Sequence, residues 1–357
     1  MKSRAIFSLV YISVLFFSLG YPFKVHSESA PTQLHVGAIL PISGDYAQYG
    51  KELWRGMEIA NKELSKQGQS IKITLEDGAT MVAQSGLAAA TKLVKVDGVQ
   101  LIAVLGADDI GPLIGLAKGS GIPLLSLWDD SVKLQRMANF VFSSGFSVEA
   151  TGSHIARFMA QKLHLKRVAI ISNSTVWSSG ITAAFRKEFV DNEGEVVFDE
   201  AVDDTWTDFR SLVSRISRQK PTAIYLPLSL PGSVEACIKQ LRQHGLSVPI
   251  FTGEAFVGDA MKRLGKLAEG IYVAWLPNPD PTLRTRYQSQ YGEAPWDERI
   301  VQVGLTGMMQ IAKAAESRKS ETLKDALLQH FGPTRSLSQE LVLYRVTEAR
   351  LVSVEAK

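Results

Sequence analysis

From residue 34 onward, short apolar runs alternate with longer segments carrying apolar residues three and four apart, and the pattern runs through twice. The first pass reads as strands over 34–40, 71–75, 101–105, 122–127 and 140–142. Between them, helical spacing covers 51–65, 84–96 and 111–118; Leu53, Trp54, Met57, Ala60 and Leu64 give the first of these one apolar face. The second pass places helices over 149–163, 181–192, 209–218 and 233–244, with strands over 167–172, 196–199, 223–226, 249–252 and 271–274. Strands that alternate with helices through short loops form parallel sheets covered on both faces. Two such runs predict an α/β chain of two doubly wound parallel-sheet lobes. The remainder is helical over 282–291, 298–317 and 322–330, and 341–346 with 351–354 flank Glu348-Ala349-Arg350 as a terminal hairpin. No Pro/Ser-rich linker parts the lobes, so the chain is expected to pass between them several times, leaving a hinge and a central cleft.

The first 27 residues form a separate unit. Lys2 and Arg4 precede an apolar run of about 16 residues, and Val25-His26-Ser27 supplies small and polar residues for cleavage. A membrane span needs about 20 apolar residues, so a secretory signal peptide over 1–27 is favoured over an anchor; cleavage at Ala30 is the rival position. Without 1–27, 36 basic residues face 36 acidic ones, and nothing favours nucleic acid or an anionic membrane as partner. Cys237 is the one cysteine. It forms no internal disulfide, and no cysteine stands near the cleavage site to carry a lipid. The expected address is the periplasm, in soluble form.

Catalytic constellations are missing. The histidines at 35, 154, 164, 244 and 330 are scattered, and no metal-ligand pair, nucleophile elbow or phosphate loop occurs. Cys237 falls in an apolar helical pattern and reads as a core thiol. The informative residues lie in loops at strand C-terminal ends, where open α/β sheets bind ligands. Those loops are Pro41-Ile-Ser-Gly-Asp-Tyr-Ala-Gln-Tyr-Gly50, Gly106-Ala-Asp-Asp-Ile-Gly111, Trp128-Asp-Asp-Ser131, Asn173 to Gly180, Pro227 to Pro231 and Gly253-Glu254-Ala255. An aspartate before a helix is also a common N-cap, so Asp108 and Asp109 serve either as caps or in a ligand site.

The segment Val36-Gly-Ala-Ile-Leu-Pro-Ile-Ser-Gly-x-x-Ala-Gln-Tyr-Gly50, followed by Gly56-x-x-x-Ala60, resembles the type I periplasmic solute-binding proteins, in particular the leucine/isoleucine/valine-binding family. Gly121-Ile-Pro, Arg167-Val-Ala-Ile-Ile, Asp208-Phe, Gly245-Leu246 and Ala268-Glu-Gly270 extend the resemblance along the chain. It implies two lobes joined by three crossovers, closing on a small molecule for an inner-membrane ABC permease, with no enzymatic activity and no cofactor. The implied division is 32–147 plus about 277–335 for one lobe and 148–276 plus about 336–357 for the other. The resemblance also assigns Tyr49 and Trp177 as aromatic walls and Glu254 as the acid for a ligand ammonium. The family's carboxylate site is altered: Ala107 stands for a hydroxyl and precedes Asp108, Trp128 replaces a small residue, and Asp130 replaces a threonine. Ser229 replaces another aromatic, and Gly106 stands where the family has one cysteine of a disulfide.

Acids in a dehydrated cleft repel a ligand carboxylate by several kcal/mol if unscreened. A cation over Trp or Tyr faces gains about 0.5–2 kcal/mol. The residues therefore point to a small polar molecule, amino-acid-like, cationic or lacking a free carboxylate. An unmodified neutral amino acid is the competing ligand, and a receptor that docks on a membrane sensor is the competing role.

Overall fold

The computed structural model describes residues 33–78, 83–317, 322–337 and 339–354; the leader expected over 1–27 lies outside them. Strands β1 (His35–Leu40), β2 (Lys72–Asp77), β3 (Leu101–Val104), β4 (Leu124–Ser126), β5 (Asp129–Asp130), β6 (Val141–Ser143) and β7 (Phe146–Ser147) come first. Then follow β8 (Arg167–Asn173), β9 (Glu195–Val202), β10 (Ala223–Leu226), β11 (Ile250–Thr252), β12 (Tyr272–Trp275), β13 (Val342–Thr347) and β14 (Arg350–Ser353). The first sheet has order β2-β1-β3-β4-β6 and is parallel throughout. The second has order β14-β13-β12-β11-β10-β8-β9, parallel except for the antiparallel edge β12-β13-β14. A two-stranded parallel piece, β5-β7, lies apart from both. The two doubly wound lobes expected from the alternation are thus present, and their buried strands read as continuous apolar runs because both faces are covered.

Each sheet reverses direction once, between β1 and β3 and between β8 and β10. Loops at such switch points open a crevice at the strands' carboxyl ends. The chain passes from β7 into the second lobe through helix Val148–Arg157. After β12 it returns to the first lobe, where helix Glu298–Glu316 packs on helix Ala47–Lys66. Phe331 then meets Phe142, ring centroids 5.5 Å apart. Residues 335–337 and 339 next lie beside β6 and β7, with Leu337 N–H donating to Ser143 O at 3.0 Å and Gln339 N–H to Gly145 O at 2.9 Å. The chain ends in the second sheet as the β13–β14 hairpin, turned by Glu348 and Ala349 at φ 50° and 58°.

Several boundaries differ from the sequence reading. The first helix starts at Ala47 rather than 51, which puts Tyr49 on its first turn. The helix expected from 181 starts at Val176, because the Thr175 hydroxyl caps it by accepting Ser178 N–H. Trp177 is therefore a helical residue, not a loop residue. Helices Val132–Met137 and Asp259–Leu264 are too short to show a period in sequence. Cys237 is fully buried, as its apolar setting required, and burial pushes its thiol up.

Candidate functional site

The first-lobe wall grows from the ends of β1, β3 and β4. Helix Ala47–Lys66 folds back over the end of β1 because position 50 is glycine: a Cβ there would lie 1.9 Å from Pro41 O. That turn sets Tyr46 and Tyr49 side by side, centroids 6.0 Å apart. Tyr49 is clamped edge-on between Trp128 at 5.4 Å and Trp296 at 5.2 Å. Trp128 rests in turn on Phe146 and Trp275. Gly145 admits it, since a Cβ there would lie 2.2 Å from the Trp128 backbone.

The second-lobe wall comes from the ends of β8, β10 and β11. Asn173 Oδ1 accepts the Ser229 N–H at 2.6 Å, and the Ser178 hydroxyl donates to Pro227 O at 2.7 Å. These bonds tie the two switch-point loops together and fix Trp177 and Ser229. Glu254 follows β11 on a single 3₁₀ turn and is 6% exposed. Burial, with the Asp297 carboxylate adding to it, pushes its carboxyl up to about 7. The Tyr49 hydroxyl is held far above its usual range by burial and by Glu254.

Four hydrogen bonds cross the cleft. Asp108 Oδ1 accepts Val176 N–H at 2.9 Å, and its Oδ2 accepts Trp177 N–H at 3.4 Å. The Tyr46 hydroxyl donates to Asp204 at 2.8 Å, and the Tyr49 hydroxyl donates to Ser229 O at 3.4 Å. Asp108 thus satisfies free N–H groups of a helix on the opposite lobe, where the helix dipole favours an anion. Burial still raises its carboxyl. Asp109 reaches back to Gly106 N–H, a cap within its own turn.

Between the walls lies a cavity of about 500 Å³, mouth included. Tyr49, Ala107, Asp108, Trp128, Trp177, Ser229 and Glu254 all line it. Asp130 does not. Its carboxylate accepts the Ser336 hydroxyl at 2.6 Å and Gln135 Nε2 at 2.9 Å, beside the segment that crosses between lobes. The acid that lines the cavity is Asp129. Adjacent residues of a strand point to opposite faces, and β5 turns the first aspartate inward. Tyr46 and Thr175, inside two of the expected loops but not singled out there, also line the cavity. Tyr46 was detectable as the neighbour of Tyr49 across one helical turn, Thr175 as a Thr-x-x-Ser cap.

Among the described residues, no three His, Cys, Asp or Glu side chains converge as a metal site. No described helix is long and apolar enough to cross a membrane. Two α/β lobes facing across a cleft at their switch points define the class of type I periplasmic binding proteins. The chain belongs to the periplasmic binding protein family, whose profile matches residues 33–338. The family consists of non-catalytic solute-binding components and places the chain in the periplasm.

The chain is similar to a Leu/Ile/Val-binding protein of Citrobacter freundii, with 22% identity over 255 residues, 69% of this chain and 68% of that protein. It is 23% identical over 328 residues to Leu/Ile/Val-binding protein homolog 1 of Brucella suis, covering 88% and 86%. Among solved structures, the leucine-binding protein LivK of Thermotoga maritima aligns with TM-score 0.77 at 19% identity, covering 90% of this chain and 98% of that one. An ABC-transporter solute-binding protein of Rhodopseudomonas palustris, in complex with p-hydroxybenzoic acid, aligns with TM-score 0.80 at 19% identity, covering 91% and 96%.

Proposed function

We propose that the chain captures a small polar molecule between its lobes and delivers it to an inner-membrane ABC permease. The molecule is amino-acid-like, cationic or without a free carboxylate. The observation that carries this reading is the placement of Glu254: a carboxyl 6% exposed on the wall of an aromatic cavity that Asp108 and Asp129 also line. A buried carboxylate favours an ammonium group and opposes a second carboxylate. Tyr49, Trp128 and Trp177 supply apolar and π faces for the rest of the ligand. In this reading residues 32–147 with about 277–335 move as one body and 148–276 with about 336–357 as the other.

Calorimetry with leucine, valine and their decarboxylated amines, isopentylamine and isobutylamine, tests the ligand class. The amines should bind and the amino acids should bind less well. Glu254→Ala should weaken amine binding by roughly 2–5 kcal/mol. Tight leucine or valine binding with no response to the amines would restore the amino-acid reading.

A further inference from the structure

Two polar groups on the cavity wall have no partner among the described residues. Asp129 is 1% exposed. Its Oδ1 accepts the Ala107 N–H at 2.8 Å and lies 3.0 Å from the Ser126 hydroxyl. Its Oδ2 is buried and accepts nothing. The placement is built in: a Cβ at position 106 would lie 2.6 Å from Oδ1, so the glycine there leaves room for that oxygen. On the opposite lobe Trp177 is 8% exposed, and its indole N–H is buried without an acceptor. Both residues line the cavity that Glu254 lines, and among the described residues its lining contains no Lys, Arg or His.

A buried acceptor and a buried donor left unmade are each unfavourable, and a ligand that completes both gains over one that completes neither. We infer that Asp129 is the specificity-determining residue of the cleft: its Oδ2 takes an N–H or O–H of the ligand while the Trp177 indole N–H is given to an oxygen of the same molecule. The cargo is then a primary amine carrying an amide or hydroxyl where an amino acid carries its carboxylate. The inference rests on the reading of the cleft above, in which Glu254 receives the ammonium. An amide fits because it donates through nitrogen and accepts through oxygen. A free carboxylate has no hydrogen to donate and meets ionised Asp129 as a like charge. A simple alkylamine leaves both wall groups unpaired.

Three probes that share one side chain separate these cases: leucinamide, leucine and isopentylamine, titrated calorimetrically into the full exported chain. Leucinamide should bind about ten- to hundredfold more tightly than isopentylamine, with leucine the weakest. Asp129→Asn keeps an oxygen for the Ala107 N–H and turns an NH₂ group into the cavity. Leucinamide should then weaken by about tenfold or more and leucine should strengthen, bringing their order toward reversal. Trp177→Phe should reduce the advantage of leucinamide over isopentylamine, because the bond to Asp129 remains. Wild-type leucine binding equal to or tighter than leucinamide overturns the inference, as does no leucinamide binding at all. If Asp129→Asn does not fold, the wild-type ranking and Trp177→Phe still decide. Glu254→Gln tests the underlying reading: it should weaken all three probes together. If it does so while the Asp129→Asn ranking stays as in wild type, the role of Asp129 is refuted and the amine site stands. If it changes none of them, the amine site itself is refuted.

Discussion

Two buried carboxyls, Glu254 and Asp129, are each pushed up to about 7. Burial is the main cause for both. The Asp108 carboxylate adds to it at Asp129, against the Ala107 N–H and Ser126 hydroxyl. Below that pH the acids carry protons and give an ammonium no ionised partner. Isopentylamine affinity should therefore climb between pH ~5 and ~7, by up to about tenfold per unit as Glu254 ionises, and level off above. At pH ~6 binding should release protons, read from the dependence of the calorimetric heat on buffer ionisation. Constant affinity with no proton release would sink this account. The same shift has a stability consequence. The folded value of Glu254 lies above its unfolded value of about 4.5, so the free protein loses stability as pH rises from ~4.5 to ~7, by about 3 kcal/mol for this group. Glu254→Gln should remove that share of the decline in denaturant titrations. Glu254, Trp128 and Asp108 were legible in the sequence because each follows a strand end. The choice between Asp129 and Asp130 was not. Two consecutive aspartates look alike in sequence, and only the two-residue pairing of β5 with β7 decides which faces the cavity.

Among the elements, helix contacts made through glycine set the walls of the cleft. A Cβ at Gly56 would stand 2.0 Å from Val301 O, and one at Gly304 would stand 2.0 Å from Leu53 O. Helices Ala47–Lys66 and Glu298–Glu316 thus meet backbone to backbone, and the first of them carries Tyr49. In the second lobe Gly152 does the same against Ile181 O, at 2.3 Å, on the helix that carries Trp177. Gly56→Ala must push its helix pair apart. It should cost about 1–3 kcal/mol of stability and also weaken isopentylamine binding, because Tyr49 moves with its helix. Differential scanning calorimetry with a binding titration checks both, and an unchanged melting temperature would show that the helices have slack. The identity and order of the strands and longer helices were legible because their apolar spacing is strong. Helix starts were not. The periodic residues of the first helix begin at Leu53, yet it is wound from Ala47 with no side-chain cap at Tyr46. The terminal hairpin was legible from its flanking apolar runs, but its antiparallel attachment to β12 depends on contacts distant in sequence.

At the scale of the whole molecule, the lobes are held by bonds of the protein's own making. Asp108 ends one lobe's loop on the first N–H groups of helix Val176–Asp191 in the other, and Tyr46 reaches Asp204. Asp130 bonds Ser336 on the segment that returns between the lobes, so one aspartate pair divides its work between cavity and crossing. A cap of this kind is worth about 1 kcal/mol, and its charge near a helix N-terminus adds about 0.3–1 kcal/mol. Removing it changes an open–closed ratio by about ten- to thirtyfold. Asp108→Ala should therefore shift the protein toward an open form without unfolding it. Small-angle scattering should give a larger radius of gyration for Asp108→Ala than for wild type, and saturating isopentylamine should bring the two together. Tyr46→Phe should act in the same direction with a smaller effect, since it removes one part-buried bond rather than two at a helix end. Equal radii for all three proteins, with and without the amine, would mean that the lobes do not hinge on these contacts and that the cleft is a fixed pocket.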